Sequence, residues 1–324
     1  MVKVISKRRI SDSKWRDSAE KCSFCTVFQT PEWHKIWSKI YGNEWESNAY
    51  RVKFEDGAEV VIPVTEKKGF LDKVRLSSPE GTYGGPIYDN EKVKYKHVVH
   101  TIRTIKGNLN LRENPFDKNL TLENSYELFN SYDFTQAIKV NKNWGTLKSN
   151  LSQNDVVRRK KKAEEKGAHV KIGKFDNEFI KNYYSIYQKC RESWGKYASN
   201  NYSRSDFEII SEIEDKIDVW YVLWEGNYIC CGPIFKQEKK HAVSWLTLAN
   251  PDHLDKNPYE IIYYEMIKHY NEEGFKYFDF NPSGGHDGVV KFKEKFDTEK
   301  MISRVLNKNS RVKKIKSKVG SILR

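Results

Sequence analysis

The clearest pattern lies between 218 and 249. Three runs dense in β-branched and aromatic residues, DVWYVLW, YICCGPIF and HAVSWLTLA, are separated by the polar segments EGN and KQEKK. Apolar runs of this length broken by turn residues predict three antiparallel strands joined as a meander. The next stretch, NPYEIIYYEMIKHYNEEG, changes period. Ile261, Ile262, Glu265, Met266 and His269 recur at helical spacing, with Asn257 as cap, Pro258 in the first turn and Gly274 at the end. FKYFDF at 275–280 reads as a short strand, followed by the loop NPSGG, a helix holding VVKFKEKF and a last strand near MISRVL. Upstream, a basic helix over 155–167, a strand AHVKIG and helical stretches over 176–213 complete this half. The order predicts a mixed sheet with helices on its faces, in the α+β class with α/β character.

The first half repeats the rhythm. NAYRVKF, AEVVIPV and KVRLSS are strand-like, with EDG and EKKG between them. Glu55 and Glu225 each open the first turn, 170 residues apart, and Pro63 and Pro233 sit in the following strand at the same offset. Proline inside a strand is unusual, so two at one offset point to an internal duplication. The expected organisation is 1–143, 144–308 and a basic tail, 309–324, with the boundary between the strand-like FTQAIKV and a helix beginning at Trp144.

The chain has 324 residues and a net charge of +13, which favours an anionic partner such as RNA, a phosphate-bearing precursor or a lipid surface. The N-terminal stretch has no apolar core and no run is long enough to span a bilayer, so a cytoplasmic location is expected, with peripheral contact at the inner membrane face open to the basic tail. The five cysteines read as structural thiols. Cys22 and Cys25 form one C-x-x-C without a second pair at zinc spacing, so no metal site is expected.

Five segments resemble the FemAB-like acyltransferases, which are tandem GNAT-fold proteins: FQTPEW at 28–33, SSPEGTYGGP at 77–86, NLSQNDVVRRKKKAEEKGAHV, NPYEIIYYEMIKHYNEEGFKYFDF and GVVKFKEKFD. One departure is Asp297, where the family usually carries glycine, so a different local turn is expected. The resemblance implies two GNAT-like domains and transfer of an aminoacyl or acyl group to an amine of an envelope-type precursor. It places Phe292 and Lys293 at the transfer site. A lysine there stabilises developing negative charge, and a neighbouring aromatic orients the acyl end. Read from spacing alone, Phe292 and Phe296 are core contacts and Lys293 is solvated.

The remaining candidates carry the same two readings. Arg158 and Arg159, in the run to Lys162, either bind phosphates or belong to a solvated face balanced by Glu164 and Glu165. Arg191 either grips an anion or makes a salt bridge, with Trp194 and Tyr197 walling a cleft. Trp245 and Thr247 either face the donor or belong to the core and strand. Tyr83, beside Gly84 and Gly85, either contacts the acceptor or forms part of a turn. No tightly bound cofactor is expected. The donor is aminoacyl-tRNA or acyl-CoA. PDHLDKNP at 251–258 lacks the glycines of a pyrophosphate loop and carries Asp252 and Asp255, which argues for a donor other than CoA. His286 and Asp287 are weak candidates for acid–base work, and no general base stands out. Alternative readings are a CoA-dependent N-acetyltransferase and a non-catalytic RNA- or membrane-surface platform.

Overall fold

The computed structural model describes residues 2–69, 73–89, 91–117, 128–129, 131–195 and 201–308. Contacts divide the chain into two compact units, Met1–Phe134 with the segment from Met301, and Thr135–Lys300. Tyr197, expected to wall a cleft, and the tail at 309–324 lie outside the described residues.

Unit 1 runs through β1 (Val4–Arg9), α1 (Asp12–Lys21), α2 (Pro31–Ile40), β2 (Trp45–Phe54), β3 (Glu59–Lys67), β4 (Val74–Leu76), α3 (Tyr95–Thr104) and β5 (Asn108–Arg112). Thr30 caps α2 by accepting the Trp33 N–H, and Pro31 supplies the preset first-turn φ. Strands β1 to β4 pair antiparallel in order, and β5 lies parallel to β4 after the α3 crossover. A strand from far downstream, within Glu299–Lys308, closes this sheet antiparallel to β5. Trp15, Phe28, Trp33 and Trp37 are fully buried and form the aromatic centre of the unit.

Unit 2 begins inside β6 (Ser131–Lys139) and continues through α4 (Trp144–Gln153), α5 (Val156–Glu165), β7 (His169–Gly173), α6 (Asn177–Trp194), α7 (Arg204–Ile210), β8 (Ile217–Trp224), β9 (Asn227–Gln237), β10 (His241–Ser244), β11 (Leu248–Ala249), α8 (Pro258–Glu272), β12 (Tyr277–Pro282) and α9 (Asp287–Glu294), after which β13 (Glu299–Lys308) starts. Its sheet has the order β6-β12-β10-β9-β8-β7, with β10 and β12 parallel across the α8 crossover and β11 paired to β9. The buried face of α8, including Ile261, Ile262, Met266 and Ile267, packs with Trp220, Ile234 and Phe278 in one core cluster.

The two meanders match in register. Pro63 pairs with Ala49 and Pro233 with Val219, so both partners keep the offset of 170 residues read from the sequence. Two strands do not stay with the half that sequence order assigns them. The strand-like FTQAIKV falls in β6, which completes the unit 2 sheet beside β12, and β13 completes the unit 1 sheet beside β5. Apolar pattern reveals a strand but not its partner, and a boundary drawn after Asn143 follows chain order alone.

Three local expectations change. HAVSWLTLA is not one strand: the run breaks after Ser244, and Leu246 takes a left-handed φ of 52°. Ser244 pairs with Ile234 and Leu248 with Cys231, so this side holds one residue more than β9, which is a β-bulge. Asn257 does not cap α8 through its side chain. It adopts a left-handed φ of 54°, and its Oδ1 accepts from Arg159 instead. Asp297 has φ 59°, the region glycine enters freely, and its carboxylate accepts from Asn150 Nδ2 at 2.7 Å.

Candidate active site

The site is built where β10 and β12 part. Their parallel pairing ends at Val243 and Asp279, and the bulge then carries residues 245–247 away from β12. Tyrosines from two helices hold that bulge. Tyr183 of α6 donates to Leu246 O at 2.6 Å, and the Ala249 N–H donates to Tyr259 Oη of α8 at 3.0 Å. Tyr263, one helical turn further along α8, has its hydroxyl 3.1 Å from Ser244 Oγ, which is 2.8 Å from Thr247 Oγ1. Burial pushes the Tyr263 phenol up to about 12, so it stays protonated at neutral pH.

The same tyrosine reaches the other side of the gap. Its ring centroid lies 4.7 Å from that of Phe280 on β12 and 6.0 Å from that of Phe292 on α9. Phe292 also meets Tyr259 at 5.5 Å and Phe296 at 5.2 Å. Phe292 is half-buried, and Phe296 is fully buried, as its core reading required. The sequence drew attention to the Phe-Lys pair but passed over Tyr259 and Tyr263. Their signal was present, since two tyrosines four apart on a helix share a face.

Lys293 is not on a solvated face. Only 5% of it is exposed, and its Nζ donates to Asn281 O at 2.5 Å. Asn281 presents that carbonyl because β12 is irregular between Asp279 and Pro282 and Asn281 has φ 63°. The buried Asp279 carboxylate fixes the turn by accepting the Asn281 N–H at 2.9 Å, and also binds Thr135 Oγ1 and His241 Nε2. A short chain of buried polar contacts thus sets where the Lys293 ammonium stands.

The other residues singled out from the sequence are dispersed. Trp245 is 4% exposed and sits among Tyr202, Phe207 and Phe235, so it seals the sheet against α7. Thr247 lies over Gly232, where an added Cβ would be 2.3 Å from its Oγ1. Arg191 is half-buried with its guanidinium 5.8 Å from the Tyr187 ring, and Trp194 meets that ring from its edge. The basic run is largely balanced by acids. Arg158 pairs with Asp155, Arg159 with Glu260, Lys160 with Glu164 and Glu265, and Lys161 with Glu165.

Tyr83 stands in unit 1, fully buried against Phe28 and Phe116, so its ring belongs to the core. Within unit 1 the loop around it is bound to the end of β5. Ser78 Oγ both donates to Arg112 O and accepts from Arg112 N, and the Gly84 N–H donates to Arg112 O at 2.8 Å. Gly84 is required by contact, since a Cβ there would lie 2.1 Å from Ser77 O.

Two units, each with an antiparallel meander, a helix crossover and a parallel strand beyond it, define a tandem GNAT-fold protein. A family model described as "Acetyltransferase (GNAT) domain" matches residues 153–294. The crystal structure of FemX is similar over 93% of this chain and 97% of its own, at 14% identity and a TM-score of 0.66. The C-terminal domain of a putative lysylphosphatidylglycerol synthetase from Agrobacterium fabrum is similar over 97% of both chains, at 11% identity and a TM-score of 0.52. These similarities agree in fold with the resemblance to FemAB-like proteins. No curated protein sequence matches the chain significantly.

Proposed function

We propose that the chain is an acyltransferase that moves an aminoacyl or acyl group from an activated ester or thioester onto an amine of a phosphate-bearing, envelope-type precursor. The observation that carries this reading is the parting of β10 and β12, with the Lys293 ammonium and the Tyr259–Tyr263–Phe292 cluster beside it. The amine attacks the acyl carbon, the carbonyl oxygen becomes an oxyanion, and its collapse expels an alkoxide or thiolate as the amine loses a proton. A preplaced ammonium in a water-poor site favours that oxyanion. The aromatic cluster orients the acyl end.

The first turn of α8 supports an aminoacyl-tRNA donor. In a CoA-binding arrangement this helix start meets a pyrophosphate. Here it carries the buried Glu260, and the preceding turn holds Asp252 beside Lys189 and Asp255 beside Lys256. A second reading, an acetyl-CoA-dependent N-acetyltransferase, is favoured by the description of the matching family model.

The test offers purified protein charged tRNA and acetyl-CoA in parallel, with amine-bearing precursors, and follows uncharged tRNA and free thiol. Lys293→Met should lower turnover on the order of 100-fold while donor binding persists. Because Lys293 is buried, thermal melting must show the variant folded. Unchanged turnover in a folded Lys293→Met protein removes the lysine from the chemistry. Tight acetyl-CoA binding without tRNA binding at low salt promotes the second reading. RNA binding without transfer from either donor leaves a non-catalytic platform.

A further inference from the structure

Three cations of unit 1 end on three consecutive carbonyls. Lys7 of β1 donates to Thr104 O at 2.7 Å, Lys308 of β13 to Ile105 O at 2.7 Å, and Arg75 of β4 to Lys106 O. These carbonyls lie at and just past the C-terminal end of α3, where acceptors lack helical partners and the helix dipole is negative. That end explains why cations gather. It does not explain the surplus, because Lys106 is exposed in the same place and Arg9 adds another charge. Among the described residues, two carboxylates are paired with these five cations: Glu66, held by Arg75 and Arg9, and Glu46, held by Arg9. Burial, Arg75, Lys106 and Lys308 pull the Lys7 ammonium down to about 8, in that order of effect. Like charges held this close are relieved by an anion from outside.

Apolar groups stand among the cations. Ile5 is 59% exposed and lies two residues before Lys7 on β1, at a register shift of β1 against β2 between Val4 and Ser6. The sequence that follows Lys308 continues the theme. Residues 309–324 hold six lysines and arginines and no acid, with Val312, Ile315, Val319, Ile322 and Leu323 spaced mostly three and four apart and no aromatic residue. Single-stranded nucleic acid is held by stacking on aromatics, whereas cations interleaved with aliphatics suit a charged lipid interface.

We propose that the C-terminal end of α3 in unit 1 docks on an anionic membrane surface, with Lys7, Lys106 and Lys308 meeting headgroup phosphates and Ile5 entering the interface. The inference is independent of the transfer reaction.

The test is flotation of the full chain with vesicles of phosphatidylcholine alone and of phosphatidylcholine mixed with phosphatidylglycerol. Binding is expected only to the mixed vesicles and should fade as salt rises. A lysine near such a surface contributes about 1 kcal/mol, so the triple change Lys7→Gln, Lys106→Gln, Lys308→Gln should weaken binding on the order of 100-fold. Lys7 and Lys308 also hold the helix end, so Lys106→Glu serves as the variant that leaves those bonds intact, with a loss of roughly tenfold or more. Equal binding to neutral vesicles, or unchanged binding by a folded Lys106→Glu protein, overturns the proposal. So does a preference for a single-stranded RNA oligonucleotide over the mixed vesicles.

Discussion

At position 34 a histidine lies wholly inside unit 1, with its Nδ1 2.9 Å from Thr65 Oγ1. Burial pulls its pKa from 6.5 to about 3. The folded state therefore keeps His34 neutral while the unfolded chain takes up a proton below pH 6.5. Stability contributed by this group is present above 6.5 and falls with pH between 6.5 and 3, at about 1.4 kcal/mol per pH unit. His34→Leu should flatten that part of the stability profile, read by denaturant melts across pH, and Thr65 can still donate to the backbone carbonyl of residue 34. An unchanged acid slope would show that other groups set it. Much at this scale escaped the sequence. Lys293 was singled out as a candidate only through resemblance, because its spacing on a short lysine-rich helix looks solvated. What its Nζ bonds is the carbonyl of Asn281, twelve residues away, whose left-handed backbone no apolar pattern announces.

Among elements, the meander of unit 2 was plain in the sequence and its break was not. HAVSWLTLA is apolar on both faces, so it lacks the in–out alternation that would expose a one-residue slip. The break depends on Gly232 of β9, over which Thr247 sits with no room for a side chain. Gly232→Ala places a methyl 2.8 Å from the Thr247 Cα, and backbone must move to admit it. The expected cost is about 1–3 kcal/mol by denaturant melts, with transfer falling more than stability because Thr247 and Ser244 shift together. Stability and turnover both at wild-type levels would mean that the bulge tolerates the displacement. The α8 helix was read well from Pro258 and Gly274, since both act through fixed backbone preferences. Asn257 stands at the N-cap as read, but its left-handed backbone and its lack of a side-chain cap bond were not legible, because a left-handed asparagine and a capping asparagine look alike in sequence.

On the scale of the whole molecule, the duplication was visible in two prolines, but the placing of β6 and β13 was not, because strand partners depend on tertiary pairing. Unit 1 holds β13 through Arg304, whose Nη2 donates to Glu113 at 2.9 Å, with Asn110 and Asn307 bonded nearby. Burial pushes the Glu113 carboxyl up to about 7, although Arg304 opposes the rise. Arg304→Met leaves that acid alone, and its pKa rises further. Below its folded pKa the lone acid is protonated and the loss is smaller; above it the folded state must bury a bare charge. The expected loss is therefore about 3–5 kcal/mol at pH 8 and less at pH 6, measured by denaturant melts. A loss independent of pH would place the effect in shape rather than charge. Arg304 lies 191 residues beyond Glu113. A ribosome adds roughly 5–20 residues per second, so the open edge of β5 waits on the order of 10–40 s for its neighbour to be made. Throughout that interval the nascent chain exposes an unpaired strand and an acid without its arginine, a state prone to wrong pairing. The yield of active protein in a cell should thus depend on translation speed and chaperone cover as much as on the stability of the finished fold.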